Sequence, residues 1–301
     1  MKKFLVIPAL ILSVFLIGIV ACNQTNKQVN NNETILKGKT KVLVDETFKP
    51  VIEDQIAIFE SKYDAKISLL AKSETEAVLA LVKDTANIAV LSRTLTPVEL
   101  KIFDNKKITP RITKIATDAI AFIANKKNND TIIALQDIVA FMQGKPNQNI
   151  KGLVFDNPNS SSVRYMNELA GLKTIPKSGI YSFKTNEEVI KFVAENEGMI
   201  GVLGVNWLMQ PALNMVETVK SVHVLSVKGI GKKDYFGPTQ NNIAEGKYPL
   251  TRDLFIINCQ GYSGLGMGFA SFVAGDIGQR IILKSGLLPV KMPGRNIVIR
   301  K

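Results

Sequence analysis

Cysteine, histidine and tryptophan are scarce in this chain, and each scarcity excludes a class of protein. Its 301 residues contain two cysteines, one histidine and one tryptophan. Two cysteines cannot build a disulfide scaffold, and a single histidine disfavours both a Cys/His zinc site and a histidine-dependent catalytic triad. We therefore predict that the protein has no metal site, no cofactor and no catalytic residues.

Aromatic residues make up only 7% of the chain, although the formal net charge is +12. Such an excess of positive charge suits nucleic acid, an anionic membrane surface or a small anionic ligand. The basic clusters, Lys126-Lys127 and Lys232-Lys233, are small and are not interleaved with the aromatic side chains on which bases stack. We interpret the charge as a solvated, lysine-rich surface and predict no nucleic-acid partner.

Residues 1–21 have the form of a bacterial signal peptide. Lys2 and Lys3 precede an apolar stretch at residues 4–20, which is short and proline-interrupted for a spanning helix. Ala21 directly before Cys22 resembles a lipobox, which implies cleavage before Cys22 and diacylglycerol on its sulfur. We predict a membrane-anchored lipoprotein that faces the periplasm or the cell exterior. Plain secretion and an uncleaved anchor helix are the alternatives.

Residues 22–36 are mostly polar and are predicted to form a flexible tether. Beyond them, short apolar runs typical of strands alternate with helical spacings of apolar residues. The predicted strands lie near residues 41–44, 66–70, 87–91, 119–124, 150–155 and 254–259, and the predicted helices near 50–63, 74–83, 135–143, 160–172 and 187–196. This alternation predicts an α/β fold with two lobes and mainly parallel sheets, where ligands collect at strand carboxyl ends and helix amino ends.

Three of the predicted strand-to-helix turns carry hydroxyl groups. Thr47 follows the first strand, Ser92 and Arg93 follow the third, and a run of three serines, followed by an arginine, joins a later strand to its helix: Ser160, Ser161, Ser162 and Arg164. Unpaired amides at a helix amino end, together with an arginine, can hold a tetrahedral oxyanion. Plain helix capping explains any one of these turns, but three together favour an anion site.

Six motifs occur in the order found in PstS-type phosphate-binding proteins of bacterial ABC importers. They lie at residues 45–48, 92–95, 117–121, 159–164, 198–201 and 246–252. Over residues 37–293 the chain resembles this family, and it is most similar to the lipoprotein branch from Bacteroidetes-like bacteria. The resemblance implies a type II periplasmic-binding fold, with two α/β lobes joined by two crossing strands. Lobe 1 would comprise residues 37–115 and 250–301, with one tail helix at 269–284, and lobe 2 residues 116–249.

The resemblance also implies which residues bind the ligand. Thr47 matches the hydroxyl of the family's first binding turn, although Glu46 replaces the glycine that usually precedes it, and Arg93 lies where some relatives have an aspartate. That aspartate accepts the proton of hydrogen phosphate in many relatives, so Asp118 is the candidate acceptor here. The predicted phosphate ligands are Thr47, Ser92, Arg93, Asp118, Ser160, Ser161 and Ser162, with Asn159 and Arg164 as secondary candidates.

The implied function is capture of inorganic phosphate in a cleft between the lobes, for delivery to an ABC transporter permease by a monomeric lipoprotein. A receptor for sulfate, molybdate or tungstate is one alternative, and a sensing or scaffold lipoprotein of the same fold is another. An enzyme is less favoured, because a serine nucleophile would need a lysine or aspartate as its base. His223 is remote in sequence from every serine turn. Trp207 is predicted to pack in the core, and Cys259 to be a buried free thiol.

Overall fold

The computed structural model describes residues 33–176 and 178–294. The predicted signal peptide, the predicted lipidation site Cys22 and the predicted tether up to residue 32 lie outside these residues. Within the two described ranges, no helix is both long enough and apolar enough to cross a membrane.

Thirteen strands and eleven α-helices are found in the described part of the chain. The strands are β1 Gly38–Asp45, β2 Ala65–Lys72, β3 Ile88–Leu91, β4 Arg111–Asn125, β5 Ile132–Ala134, β6 Gly152–Phe155, β7 Ile180–Ser182, β8 Met199–Gly204, β9 Val222–Val224, β10 Ser226–Lys228, β11 Tyr235–Phe236, β12 Thr251–Asn258 and β13 Leu288–Pro289. The helices are α1 Lys49–Lys62, α2 Glu74–Val82, α3 Pro97–Asn105, α4 Leu135–Met142, α5 Ser161–Ala170, α6 Asn186–Glu195, α7 Asn206–Met209, α8 Val216–Lys220, α9 Gln240–Ala244, α10 Leu265–Ala274 and α11 Asp276–Lys284.

The long strand β4 connects the two halves of the main sheet, whose order is β2-β1-β3-β12-β4-β8-β6-β7. Over Arg111 to Ala119 it pairs with β12, and over Ile120 to Ala124 it pairs with β8. In the first half, β1 is parallel to β2 and β3, and in the second half, β6 is parallel to β7 and β8. We call these the first and second half-sheets. The predicted α/β class with mainly parallel pairing is confirmed.

Two short central strands position the turns that carry the site. All four residues of β3 are buried, as are all four residues of β6. Burial on both faces is typical of parallel strands covered by helices, which explains why these strands are continuous apolar runs. Ser92 directly follows β3, and Asp156 directly follows β6. The packed strands therefore hold polar side chains at their carboxyl ends.

Side-chain caps fix where several helices begin. Thr96 accepts a hydrogen bond from the amide of Glu99, whose carboxylate accepts from the amide of Thr96, so a capping box starts α3. Ser160 caps α5 by accepting a hydrogen bond from the amide of Val163. This cap sets the amino end of α5 at the site described below.

The carboxyl-terminal helical region differs from the sequence prediction of one tail helix. It forms two helices, α10 and α11, which are separated at Gly275, where ψ of 174° is extended rather than helical. A side chain at Gly278 would lie 2.4 Å from the backbone of Val273, so the two helices approach closely only with glycine there. Both helices pack on the first half-sheet or on α1, as expected for the tail.

Candidate functional site

A group of buried polar side chains lies where the two half-sheets meet. Its members come from the turn after β1, from facing positions on β4 and β12, and from the turn between β6 and α5. We call this group the inner cluster, and it consists of Asp45, Thr47, Asp118, Asp156, Ser160, Ser161, Ser162 and Arg252, all buried. Polar groups this deep require hydrogen-bond partners or a ligand.

An ion pair between Arg252 and Asp118 lies at the centre of the inner cluster. The two residues face each other across the β12–β4 ladder, and Arg252 Nε donates to Asp118 Oδ2 at 2.9 Å. Arg252 Nη1 donates to the hydroxyl of Ser161 at 2.9 Å, and the guanidinium carbon lies 4.8 Å from the ring centre of Phe48. A fixed guanidinium beside hydroxyl groups is suited to binding a tetrahedral oxyanion.

Two atoms of this ion pair lack hydrogen-bond partners. Arg252 Nη2, a donor, and Asp118 Oδ1, an acceptor, are both buried without a partner among the described residues. Leaving buried polar atoms unpaired costs about 1–3 kcal/mol each, so such atoms in a folded protein point to a ligand or water. A ligand that both accepts and donates hydrogen bonds would satisfy the pair.

Asp156 receives three hydrogen bonds at the carboxyl end of β6. The hydroxyl of Ser160 donates to Oδ1 at 2.5 Å, while the hydroxyl of Thr47 and the amide group of Asn186 donate to Oδ2 at 3.2 and 3.1 Å. Burial, together with the nearby charge of Asp45, raises the pKa of Asp156 to about 7. This carboxyl group can therefore change its protonation state near neutral pH.

The carboxylate of Asp45 connects the two half-sheets. Its Oδ1 accepts from the amide of Thr47 and its Oδ2 from the amide of Ser161, the first residue of α5, both at 3.0 Å. Burial and the charge of Glu74 raise the pKa of Asp45. An amide at the start of α5 is thus already paired with an anion of the protein itself.

The turn after β1 is fixed by further contacts with the second half-sheet. The carbonyl oxygen of Thr47 accepts from Asn206 Nδ2 at 3.0 Å and from Trp207 Nε1 at 2.8 Å. Asn186 Nδ2 donates to Glu46 at 2.5 Å, and burial raises the pKa of Glu46 to about 8. Trp207 is buried, as predicted, and its indole nitrogen also positions the turn that carries Thr47.

A second polar group, which we call the outer cluster, surrounds the carboxylate of Glu74. It consists of Glu74, Ser92, Arg93 and Arg164. Arg164 donates to Glu74, to Glu168 and to the hydroxyl of Ser92, while Arg93 forms a two-point contact with Glu99 and an ion pair with Glu74. Every guanidinium nitrogen of both arginines therefore has a partner within the protein.

The structure brings together only part of the predicted site. Thr47, Asp118, Ser160, Ser161 and Ser162 lie in the inner cluster, whereas Ser92, Arg93 and Arg164 lie in the outer cluster. Asn159 belongs to neither cluster. Its backbone oxygen accepts hydrogen bonds from the amide and the hydroxyl of Thr75. Cys259 is a buried free cysteine, as predicted.

Sequence reasoning missed Arg252, Asp45, Asp156 and Glu74 as members of the two clusters. A signal for Arg252 was available, because it alternates with the apolar residues Leu250, Leu254 and Ile256 and so shares their face of β12. All four are buried. Asp45 and Asp156 each stand at the carboxyl end of an apolar strand, which is where ligands collect in parallel sheets.

Comparisons with known proteins agree with this architecture. The phosphate-binding protein PstS of Pseudomonas aeruginosa is 23% identical over 252 residues, which is 75% of each chain. A solved structure described as a phosphate ABC transporter substrate-binding protein with bound phosphate, from Clostridium perfringens, superposes with a TM-score of 0.68. It is 20% identical and covers 84% of this chain and 100% of its own.

A second solved structure has the same arrangement. An ABC-type phosphate transport receptor from Vibrio cholerae superposes with a TM-score of 0.63 at 17% identity, over 84% of this chain and 100% of its own. These likenesses confirm the type II periplasmic-binding fold and the resemblance to PstS-type proteins, while the Bacteroidetes-like branch stays a prediction. A family model described as a PBP superfamily domain matches residues 29–276, and the chain therefore belongs to the PBP superfamily.

Proposed function

We propose that the protein is a solute-binding receptor that captures inorganic phosphate at the inner cluster and delivers it to an ABC transporter permease. The observation that carries the proposal is the Arg252–Asp118 ion pair with its two unpartnered atoms. Hydrogen phosphate can accept a hydrogen bond from Arg252 Nη2 and can donate a hydrogen bond, through its own hydroxyl, to Asp118 Oδ1. The ligand would then complete the hydrogen bonding of both buried groups.

The same pair gives a physical reason for choosing phosphate over sulfate. A buried carboxylate repels an anion that has no proton to donate, and sulfate is fully ionised at neutral pH. Three relatives support the choice: PstS and the Vibrio cholerae receptor are named for phosphate, and the Clostridium perfringens protein contains it. A receptor for sulfate, molybdate or tungstate is the second candidate. The observation that favours it is the positively charged guanidinium of Arg252 beside the serine hydroxyls.

The proposed ligand contacts are Arg252, Asp118, Thr47, Ser160, Ser161 and Ser162, while Ser92, Arg93 and Arg164 support them from the outer cluster. The two lobes, 37–115 with 250–301 and 116–249, would meet around the ligand, so binding requires them to separate and close. The proposed role is binding, without catalysis. Lipid on Cys22 would hold the monomeric receptor at the membrane, outside the cytoplasm, within reach of its permease.

Calorimetric titration of the phosphate-stripped full chain tests the proposal. We expect phosphate to bind and sulfate not to bind. The Arg252→Lys variant should weaken phosphate binding by about 100-fold, because lysine keeps the charge but loses the guanidinium geometry.

The matched control is Arg93→Lys in the outer cluster. The nitrogens of Arg93 already have protein partners, so its replacement should change the phosphate dissociation constant by less than about threefold. Heat with sulfate and none with phosphate would reject phosphate as the ligand. Equal losses in both variants would place the ligand outside the inner cluster.

A further inference from the structure

The carboxylate of Asp45 lies where an anionic ligand would be expected to bind. The first-turn amides of a helix attract anions, and the amide of Ser161 at the start of α5 donates to Asp45 Oδ2 at 3.0 Å. Helix α5 is ten residues long, and three serines stand at its amino end. The expected anion site is therefore paired with an acidic side chain from the opposite half-sheet.

The second contact of Asp45 makes it a bridge. Its Oδ1 accepts from the amide of Thr47 at 3.0 Å, and the hydroxyl of Thr47 donates to Asp156 in the second half-sheet. One buried carboxylate thus links the turn after β1 to the amino end of α5. A bound oxyanion between the two lobes would make the same kind of contact with both.

Acidic groups surround Asp45 on several elements. Glu46 follows it in the chain, Glu74 approaches from α2, Asp118 from β4 and Asp156 from the end of β6, and all four are buried or partly buried. The cation that faces it is Arg252 of β12, which is already paired with Asp118. A phosphate dianion entering while Asp45 is charged would meet strong repulsion.

We propose that Asp45 is an internal anion that determines the specificity and affinity of the site: its carboxylate occupies the amino end of α5, and the ligand must displace or neutralise it. The proposal rests on phosphate capture as the function of this site. Asp45 would then hold the lobes together without a ligand and would weaken binding most when it is charged.

The first test compares phosphate affinity in the full chain before and after Asp45→Asn. This substitution removes the charge but keeps an oxygen that can accept from the amide of Thr47. We expect phosphate to bind about tenfold more tightly in the variant at about pH 8. The difference should shrink as the pH falls, because burial raises the pKa of Asp45 and so favours its uncharged form in the parent protein.

The quantity compared is the ratio of the phosphate dissociation constants of the two proteins at one pH. Both proteins meet the same mixture of phosphate ions at that pH, so the titration of phosphate itself cancels in the ratio. The control is Asp64→Asn, the same chemical change at an exposed ion pair with Lys37, which should leave affinity unchanged. Equal or weaker phosphate binding by Asp45→Asn at about pH 8 would overturn the proposal.

The second test needs no ligand and so separates this proposal from the proposed function. Hydrogen–deuterium exchange of the peptide containing Ser161 should be about tenfold faster in Asp45→Ala than in the parent chain, because the amide loses its acceptor. Peptides from β12 report whether the variant is folded. Phosphate should restore protection in the variant.

The outcomes are distinguishable. Faster exchange without any phosphate binding supports Asp45 as the internal anion and rejects phosphate as the ligand. Unchanged exchange at Ser161, in a variant whose β12 peptides remain protected, overturns the internal-anion proposal even if phosphate binds.

Discussion

The inner and outer clusters are built from the same residue types but are satisfied differently. In the outer cluster, Arg93 and Arg164 are partly exposed, and every guanidinium nitrogen contacts a carboxylate, a hydroxyl or a carbonyl group. In the inner cluster, Arg252 is almost fully buried and one of its nitrogens has no partner among the described residues. Hydrogen bonding within the protein therefore separates Arg93 and Arg164, whose nitrogens are all paired, from Arg252, which keeps an unpaired donor among the described residues.

The difference also shows that an arginine next to a serine turn can be fully paired within the protein. Arg93 is the second residue after β3, at the predicted mouth of the site, yet two of its nitrogens donate to the carboxylate of Glu99. Arg252 is the second residue of β12, with no serine or threonine beside it except Thr251, and it donates to the hydroxyl of Ser161 from α5. Proximity in the fold, rather than in the chain, assembles the inner cluster.

The largest effect is expected from removing the inner arginine. Arg252→Met would leave Asp118 buried without its cation and should lower the free energy of unfolding by about 3–5 kcal/mol in urea unfolding. The double variant Arg252→Met/Asp118→Asn should regain at least half of the loss. Arg93→Met, the counterpart in the outer cluster, should cost about 1 kcal/mol, since Glu74 keeps Arg164. If Arg252→Met and Arg93→Met lowered the free energy of unfolding by similar amounts, the two clusters would not differ in their contribution to stability.

A smaller effect is expected from the shared carboxylate of the outer cluster. Glu74→Gln removes the charge to which both Arg93 and Arg164 are paired and should lower the free energy of unfolding by about 1–3 kcal/mol. The control is Glu168→Gln, an exposed partner of the same Arg164, which should cost less than about 0.5 kcal/mol. An equal loss in the control would show that burial of Glu74 has no energetic role.

The smallest expected effect is the pH dependence of the free energy of unfolding, which should have opposite signs in the two clusters. Burial raises the pKa of Asp156 from 3.8 to about 7, so the folded protein binds a proton that the unfolded chain has lost. Stability should therefore fall as pH rises from about 4 to about 7, with Glu46 extending the fall to about pH 8. Glu99, which is paired with Arg93 of the outer cluster, has a lowered pKa. It contributes the opposite trend, because its stabilisation is lost as the pH falls below the ordinary pKa of a glutamate.

Calorimetric melting of the ligand-free protein at about pH 5 and about pH 8 checks this sign. The midpoint should be at least about 2 °C lower at the higher pH, and Asp156→Asn should reduce that difference. A midpoint that rises with pH over this range would contradict protonation of Asp156 in the folded state.

Local patterns in the sequence predicted much of the fold. The apolar runs of β3 and β6 appear in the structure because each depends on a few neighbouring residues. The single tail helix was wrong, because the break at Gly275 goes with close packing of Gly278 on Val273, which local propensity does not reveal. Long-range contacts also divided the nine residues of the candidate site: five lie in the inner cluster, three lie in the outer cluster, and Asn159 lies in neither.

By itself, the sequence determined the strand-to-helix turns, the serine cap of α5 and the apolar strands that directly precede Ser92 and Asp156. These features arise from backbone propensity, capping and periodicity over a few residues. Only the tertiary structure decided that Arg252 pairs with Asp118, that Asp45 accepts from the amide of Ser161, and that Arg93 faces Glu99. Most of these contacts join residues far apart in the chain, and which carboxylate each donor meets depends on strand register and packing rather than on local sequence.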